Sequence, residues 1–362
     1  MMKGLVHTDF RINGMFCANT EQLRAMKSLL DTDTAIFLEQ WFSGDEKLKV
    51  MTSGSTGKPK EIELGKVQMV NSALATGNFF GLFSKTSALL CLPTKYIAGK
   101  MMLVRAMILG WELDVVEPAS SPLRGLTSSY DFVAMVPLQL ENSLEDLYKI
   151  RSLIVGGAAV SVPLAAKIKN KKTKIFATYG MTETITHIAV RPLNDAALMD
   201  IKEKYDRERY NDFLILPDVK ISTDHRDCLI IDAKKITDTP VITNDIVELT
   251  GKSTFRLLGR IDHVINSGGI KIYPEMLEEK IQNLIEQPYF FTSIPDDILG
   301  ERLVLVIEGK KKIKREDLQP YLDKYELPGE IISLERFSYT ENNKINRLLT
   351  KKRIPSIRRG SI

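Results

Sequence analysis

Thr52-Ser53-Gly54-Ser55-Thr56-Gly57-Lys58-Pro59-Lys60 puts four hydroxyls, two glycines and two lysines into nine residues. Glycine lets backbone approach a ligand closely and reach positive φ. Successive free N–H groups and hydroxyls form an anion cradle, and lysines add positive charge. A polyphosphate suits this composition; so does a solvated turn, since Ser, Gly and Pro all favour turns. The common phosphate loop of nucleotide hydrolases requires G-x-x-x-x-G-K-[ST] running into a helix. Here the glycines are closer together and Pro59 follows Lys58. Leu48-Lys49-Val50-Met51 before the stretch and Lys60-Glu61-Ile62-Glu63-Leu64 after it alternate in polarity, the period of a strand. The stretch reads as a loop between two strands.

Upstream, Leu23, Met26 and Leu30 keep helical spacing behind Asn19 and Thr20, which can cap a helix. Downstream, a helix is expected with Val67, Val70 and Leu74 on one face. Strands then alternate with helices: strands at 87–92, 112–116, 131–136, 152–155 and 174–178, helices at 97–109, after Pro137, and at 162–169. This alternation predicts a largely parallel, covered sheet, with ligands at strand carboxyl ends. From 213 to 258 short strands follow one another (228–231, 241–249, 255–258), with a turn at 224–227, as in a β-rich subdomain. A second unit begins near Asp262, with helices at 274–285 and 316–325 and strands at 289–293 and 303–308. The fold class is therefore α/β. A large N-terminal domain, 1–262, with a mainly parallel covered sheet and a β-rich subdomain is joined by a hinge to a small α+β C-terminal domain, 263–362.

The 362 residues are 44% hydrophobic and 27% charged, with a net charge of +4; such a chain can bury a core. Basic runs at 169–174, 310–315 and 351–353 are separated and lack interleaved aromatics, so they read as solvated surface and no nucleic-acid partner is expected. Cys17, Cys91 and Cys228 are far apart, which supports neither a disulfide framework nor a zinc site; Cys91 sits in an apolar run and belongs to a core. No apolar run approaches the roughly 18 residues that span a bilayer, and the first residues lack a signal region. No membrane partner is expected, and the expected location is cytoplasmic.

The loop T-S-G-S-T-G-K-P-K resembles the phosphate loop of the adenylate-forming superfamily of acyl-CoA synthetases, adenylation domains and luciferases. Further segments match in the family's order. Tyr179-Gly180-Met181-Thr182-Glu183-Thr184 follows the strand at 174–178 and resembles the second signature. Gly156-Gly157-Ala158-Ala159 ends the strand at 152–155, where small residues let a flat ring lie against backbone. Thr243-Asn244-Asp245 stands where the family has T-G-D, so Asn244 departs from the pattern. The segment from Gly259 to Ile272 resembles G-R-x-D…G-x-[KR]-I, and Asn343-Lys344-Ile345-Asn346-Arg347 resembles the closing G-K-[IV]-x-R, with Asn343 in the glycine's place.

The resemblance implies roles residue by residue. Thr52, Ser53, Gly54, Ser55, Thr56, Gly57 and Lys60 would hold the ATP phosphates. Thr182 would contact the α-phosphate and Glu183 would hold Mg²⁺, with Lys344 as catalytic lysine. Gly156, Gly157, Ala158, Tyr179, Gly180, Asp245 and Arg260 would bind AMP, Asp245 and Arg260 at the ribose. Asp262 would be the hinge, and Gly268, Gly269 and Lys271 would line the CoA tunnel. The implied partners are ATP, CoA as co-substrate and a carboxylic acid, with Mg²⁺ as cofactor. The G-G-A-A wording and the short chain look most like the o-succinylbenzoate–CoA ligases of menaquinone synthesis. A second carboxylate, if buried, would need a cation; Lys100 and Arg105 are candidates, with Tyr96, Thr186 and His187 beside the acyl pocket. Other readings on the same motifs are another aryl- or acyl-CoA ligase, an adenylating enzyme that loads a carrier protein, and a non-catalytic nucleotide-binding protein. CoA saturation kinetics separates the carrier-loading enzyme; the presence of Glu183 and Lys344 argues against the non-catalytic reading. The N-terminal region is short for the family, an arrangement that a homo-oligomer could cover.

Overall fold

The computed structural model describes residues 6–52, 60–201, 211–310, 313–339 and 345–354. The expectations for 53–59 and for Lys344 lie outside the described residues. In chain order the elements of the first half are β1 (Arg11–Ile12), α1 (Thr20–Met26), α2 (Thr32–Phe42), β2 (Lys47–Thr52), β3 (Lys60–Gly65), α3 (Lys66–Phe80), β4 (Ser87–Leu90), α4 (Ile97–Leu109), β5 (Glu112–Val115), β6 (Tyr130–Met135), α5 (Pro137–Glu141), β7 (Ile150–Val155), α6 (Val162–Ile168) and β8 (Lys174–Gly180). There follow β9 (His187–Pro192), α7 (Asp195–Asp200), β10 (Phe213–Ile215), β11 (Lys220–Thr223), β12 (Cys228–Asp232), β13 (Val241–Leu249) and β14 (Thr254–Arg260).

Among the described residues these strands build a twelve-stranded sheet in the order β1-β5-β4-β6-β7-β8-β9-β10-β14-β13-β12-β11. The half from β1 to β8 is parallel, and from β8 onward every pair is antiparallel. The strands expected as a β-rich subdomain thus extend the same sheet. At the opposite edge β1 pairs with β5, and the Asn13 side chain accepts from Val115 N at 2.8 Å. β2 and β3 form a separate hairpin with Thr52 opposite Lys60, so the glycine-rich stretch connects two strands as expected.

α4 is apolar on nearly every side, and all its residues from 99 to 107 are buried, as befits a helix with no polar face. Two cations, Lys100 and Arg105, lie in it. α3 differs from the sequence expectation: Val67 and Leu74 are 47% and 41% exposed, while Met69, Val70, Ala73, Thr76 and Gly77 are buried. Small residues decide this phase. A Cβ on Gly77 would lie 2.8 Å from Leu109 Cδ1, so α3 meets α4 along the stripe that lets the backbones approach. Phe80 on α3 packs on Phe132 and Phe176 of the sheet, with centroids 5.6 and 5.2 Å away. Asn19 caps α1 by accepting from Gln22 N. The three cysteines are free and buried.

The C-terminal unit comprises β15 (Ile265–Ser267), β16 (Ile270–Ile272), α8 (Pro274–Ile281), β17 (Tyr289–Asp296), β18 (Gly300–Glu308), α9 (Arg315–Leu318), β19 (Glu330–Leu334) and α10 (Arg347–Lys351). Its sheet runs β16-β15-β18-β17, with β19 parallel to β18. Side chains alternate across a strand. Phe291, Leu303, Leu305 and Ile307 therefore face Leu277 and Ile281 of α8, whereas Phe290, Val304 and Val306 pack with Ile332 and Phe337. The helix expected over 316–325 stops at Leu318, two residues before Pro320, which cannot donate to a continuing helix. Among the described residues no helix is long and apolar enough to cross a membrane.

Candidate active site

The carboxyl ends of β7 and β8 lie side by side. Gly156 N donates to Met135 O at 3.1 Å, and a Cβ on Gly156 would meet Thr178 Oγ1 at 2.6 Å. Gly157 has φ +84°, so this strand end needs glycine; Ala158 follows, exposed.

Tyr179, in β8, is buried, and its hydroxyl donates to Asp245 Oδ2 at 2.6 Å. Burial and then the Asp245 charge push the phenol well above the usual tyrosine range. Its ring packs edge-on against Phe255, 5.2 Å between centroids. Asp245 lies opposite Arg260 in the β13–β14 ladder, and such cross-strand neighbours interact directly. Arg260 Nη1 donates to Asp245 Oδ1 at 3.1 Å and Nη2 to Asp262 Oδ2 at 3.0 Å. Asn244 Nδ2 also donates to Asp262, at 3.3 Å. The residues expected at ribose and hinge therefore form one continuous polar array. β14 of the large sheet ends at Arg260, and β15 of the small one begins at Ile265, so Asp262 sits in the connection.

After β8 the chain makes a short 3-10 turn, Thr182–Thr184. Glu183 is exposed there. No group of three or more His, Cys, Asp or Glu that could hold a metal occurs among the described residues. One exposed carboxylate fits Mg²⁺, which keeps several waters and takes one or two protein carboxylates beside substrate phosphates. Gly180 faces the returning strand so closely that a Cβ would lie 2.3 Å from Thr186 O.

Thr186 and His187 meet Arg105 from α4. Arg105 is 1% exposed. Its Nε donates to Thr76 Oγ1 at 3.3 Å and its Nη2 to Thr186 Oγ1 at 3.3 Å, while Nη2 lies 3.5 Å from His187 Nδ1. Guanidinium only donates, so Nδ1 is the acceptor and the histidine proton is on Nε2. That Nε2 is buried without a partner among the described residues. Burial, and then the Arg105 charge, hold His187 well below its ordinary value, so it is neutral. Among the described residues no carboxylate pairs with Arg105; burial lowers its pKa to about 9, which leaves it cationic near neutral pH. Lys100 lies elsewhere on α4, its Nζ 4.9 Å from the Phe37 ring. Tyr96 is the residue before α4, half-buried, with Lys95 near its ring. Thr76 was not foreseen; its signal was a hydroxyl on the α3 stripe that meets the apolar α4.

Gly268 and Gly269 form a two-residue hairpin turn between β15 and β16, both with positive φ, +58° and +82°, the turn for which Gly-Gly is suited. Lys271 is exposed on β16. Tyr339 and Ile345 pair on either side of the segment that holds Lys344.

The large sheet, parallel on one side and antiparallel on the other, thus carries the Tyr179–Asp245–Arg260 array on β8, β13 and β14. The model of the AMP-binding enzyme family matches residues 48–208, and the chain belongs to this family. It is 35% identical to an acyl-CoA synthetase (AMP-forming)/AMP-acid ligase II-like protein from Dyadobacter fermentans, covering 92% of this chain and 98% of that one with a TM-score of 0.60. It is 26% identical to the 2-succinylbenzoate–CoA ligase of Lactococcus lactis, over 87% of this chain and 76% of the relative. The o-succinylbenzoate coenzyme A synthetase of Bacillus subtilis, solved with ATP and magnesium, has the same fold, with a TM-score of 0.72 at 19% identity, covering 91% of this chain and 81% of that one.

Proposed function

We propose that this chain is an AMP-forming acid–CoA ligase whose acid is o-succinylbenzoate, an aromatic acid with a second carboxylate. The observation that carries the choice of acid is Arg105. A charge buried without a counter-ion is expensive, and a substrate carboxylate would supply the missing partner. The hydroxyl of Thr186 and the neutral His187 lie beside the guanidinium, and no carboxylate among the described residues joins them.

The reaction has two steps. A carboxylate oxygen of the acid attacks the α-phosphorus of ATP, and the bond to the bridging oxygen breaks as pyrophosphate leaves. The CoA sulfur then attacks the acyl carbon, and the C–O bond to AMP breaks. No base is needed to activate the acid, which is ionised near pH ~7. In the first step two anions must meet, so charge neutralisation is the main catalytic demand. Mg²⁺, held by Glu183, supplies such neutralisation when bound. Thr182 faces the α-phosphate, and Ser53, Ser55, Thr56 and Lys60 orient the leaving pyrophosphate. Asp245 accepts the ribose hydroxyls, fixed by Tyr179 and Arg260, and Lys344 approaches for adenylate formation. Rotation about Asp262 replaces Lys344 by the Gly268–Gly269 hairpin for thioester formation, with the domain boundary at that residue.

The test is AMP release with ATP, Mg²⁺ and CoA across a panel of acids. Turnover with o-succinylbenzoate well above that with aryl monocarboxylates is expected. No AMP with o-succinylbenzoate, but turnover with aliphatic acids, would overturn the choice of acid.

A further inference from the structure

Ile185 stands between the two sets of side chains just assigned, Thr182 and Glu183 on one side and Thr186 and His187 on the other. Its backbone has φ 64° and ψ −56°, and Thr186 N donates to Thr184 O at 2.6 Å. Together these define a γ-turn of the rare, strained hand. For a β-branched residue positive φ is a steric outlier. The side chain is 1% exposed, so the strain is held inside the packed structure.

Both neighbours are pinned. The Thr184 hydroxyl accepts from Met181 N at 3.1 Å and, as donor, lies 3.0 Å from Met181 O and 2.9 Å from Thr186 O. Thr186 Oγ1 accepts from Arg105, and its carbonyl crosses Gly180 in van der Waals contact too close for any Cβ. A strained residue persists only where its surroundings over-determine it, and such residues collect at functional sites. Here a single strained residue links Thr186, which accepts from Arg105, to the turn that holds Thr182 and Glu183.

We propose that Ile185 is a positioning residue that couples the two sets: an acid carboxylate drawn onto Arg105 tightens the Arg105–Thr186 contact, and the turn transmits that displacement to Thr182 and Glu183. This rests on the function proposed above. Coupling between two ligands is reciprocal, so it is measurable as binding, without turnover. The dissociation constant of o-succinylbenzoate is measured alone and with saturating α,β-methylene-ATP and Mg²⁺. In the wild-type protein the nucleotide is expected to tighten acid binding by about five-fold or more. Ile185→Gly admits this conformation with less strain; in it, the coupling factor falls towards one while each ligand alone binds as before. Ile185→Ala removes the side chain but keeps the strain, and it retains the coupling. Gly also melts above Ala at this position, reversing their usual order. Wild-type coupling unchanged in Ile185→Gly, no coupling in the wild type although both ligands bind, or Ala melting above Gly would each overturn the proposal. If neither ligand binds the wild type, the functional reading falls and this one with it.

Discussion

Arg105→Met separates a functional cation from a structural one. The free protein buries this guanidinium with long contacts to neutral acceptors, Thr76, Thr186, His187 and the Met102 sulfur, and no carboxylate among the described residues. Replacing a buried charge by an apolar residue of similar length is often neutral or stabilising, and methionine is a good helix former with Met102 already beside it. The melting temperature is therefore expected to hold or rise. Catalysis should move the other way. Leaving a buried substrate carboxylate unpaired costs about 3–5 kcal/mol, which at about 1.4 kcal/mol per factor of ten is roughly a 100- to 4,000-fold loss. The assay is kcat/KM from AMP release, with o-succinylbenzoate and an aryl monocarboxylate compared on both proteins. The dicarboxylate should lose the full factor, the monocarboxylate less than about ten-fold. Equal losses for the two acids, or a melting temperature lowered by more than about 5 °C, would refute the reasoning.

Asp245→Ala deprives the buried Tyr179 hydroxyl of its acceptor and takes one carboxylate from Arg260; at about 1–3 kcal/mol for such a loss, the KM for ATP should rise and the melting temperature fall, both read on the purified protein. Lys344→Ala is expected to block adenylate formation, measured by pyrophosphate exchange, and to spare thioester formation from supplied acyl-adenylate; equal loss in both would remove Lys344 from its role. Asp296 accepts from the backbone N–H groups of Leu299 and Ile298 and from Arg302, in that order of weight, which holds its carboxyl below the usual value. Its stabilisation is present above the unfolded carboxylate value near 3.8 and is lost as pH falls through the depressed folded value. Thermal unfolding followed from pH 6 down to 3 should thus show a smaller acid dependence in Asp296→Asn than in the wild type.

Much of the frame was legible because hydrophobic pattern and punctuation agreed. α4 matches its expected bounds, since apolar residues run between Tyr96 and Gly110. The parallel strands came within two residues at most ends. The phase of α3 was not legible, because close approach to α4 selects Ala73, Thr76 and Gly77 rather than the more hydrophobic Val67 and Leu74. β1 has two residues and only its partner defines it. At the site, strand-end turns announced themselves through glycine and hydroxyl residues. The meeting of Arg105 with Thr186 and His187 did not, since the partners lie 81 and 82 positions apart; the sequence could nominate them but not join them. It separated Lys100 from Arg105 no better, because a helix that is buried all round carries no polar face to orient either cation.

The short β1 has a consequence for solubility. The outer edge of β5 would otherwise present unpaired N–H and C=O groups, the kind of edge on which another chain can add a strand. Arg11 and Ile12 occupy that edge, Asn13 N donates to Leu113 O at 2.9 Å, and the Asn13 side chain accepts from Val115 N. Three residues thus act as a selvedge on the parallel half of the sheet. Weakening it, for example by Asn13→Ala, which removes the acceptor for Val115 N, should show first as concentration-dependent association, before any change at the catalytic end of the strands.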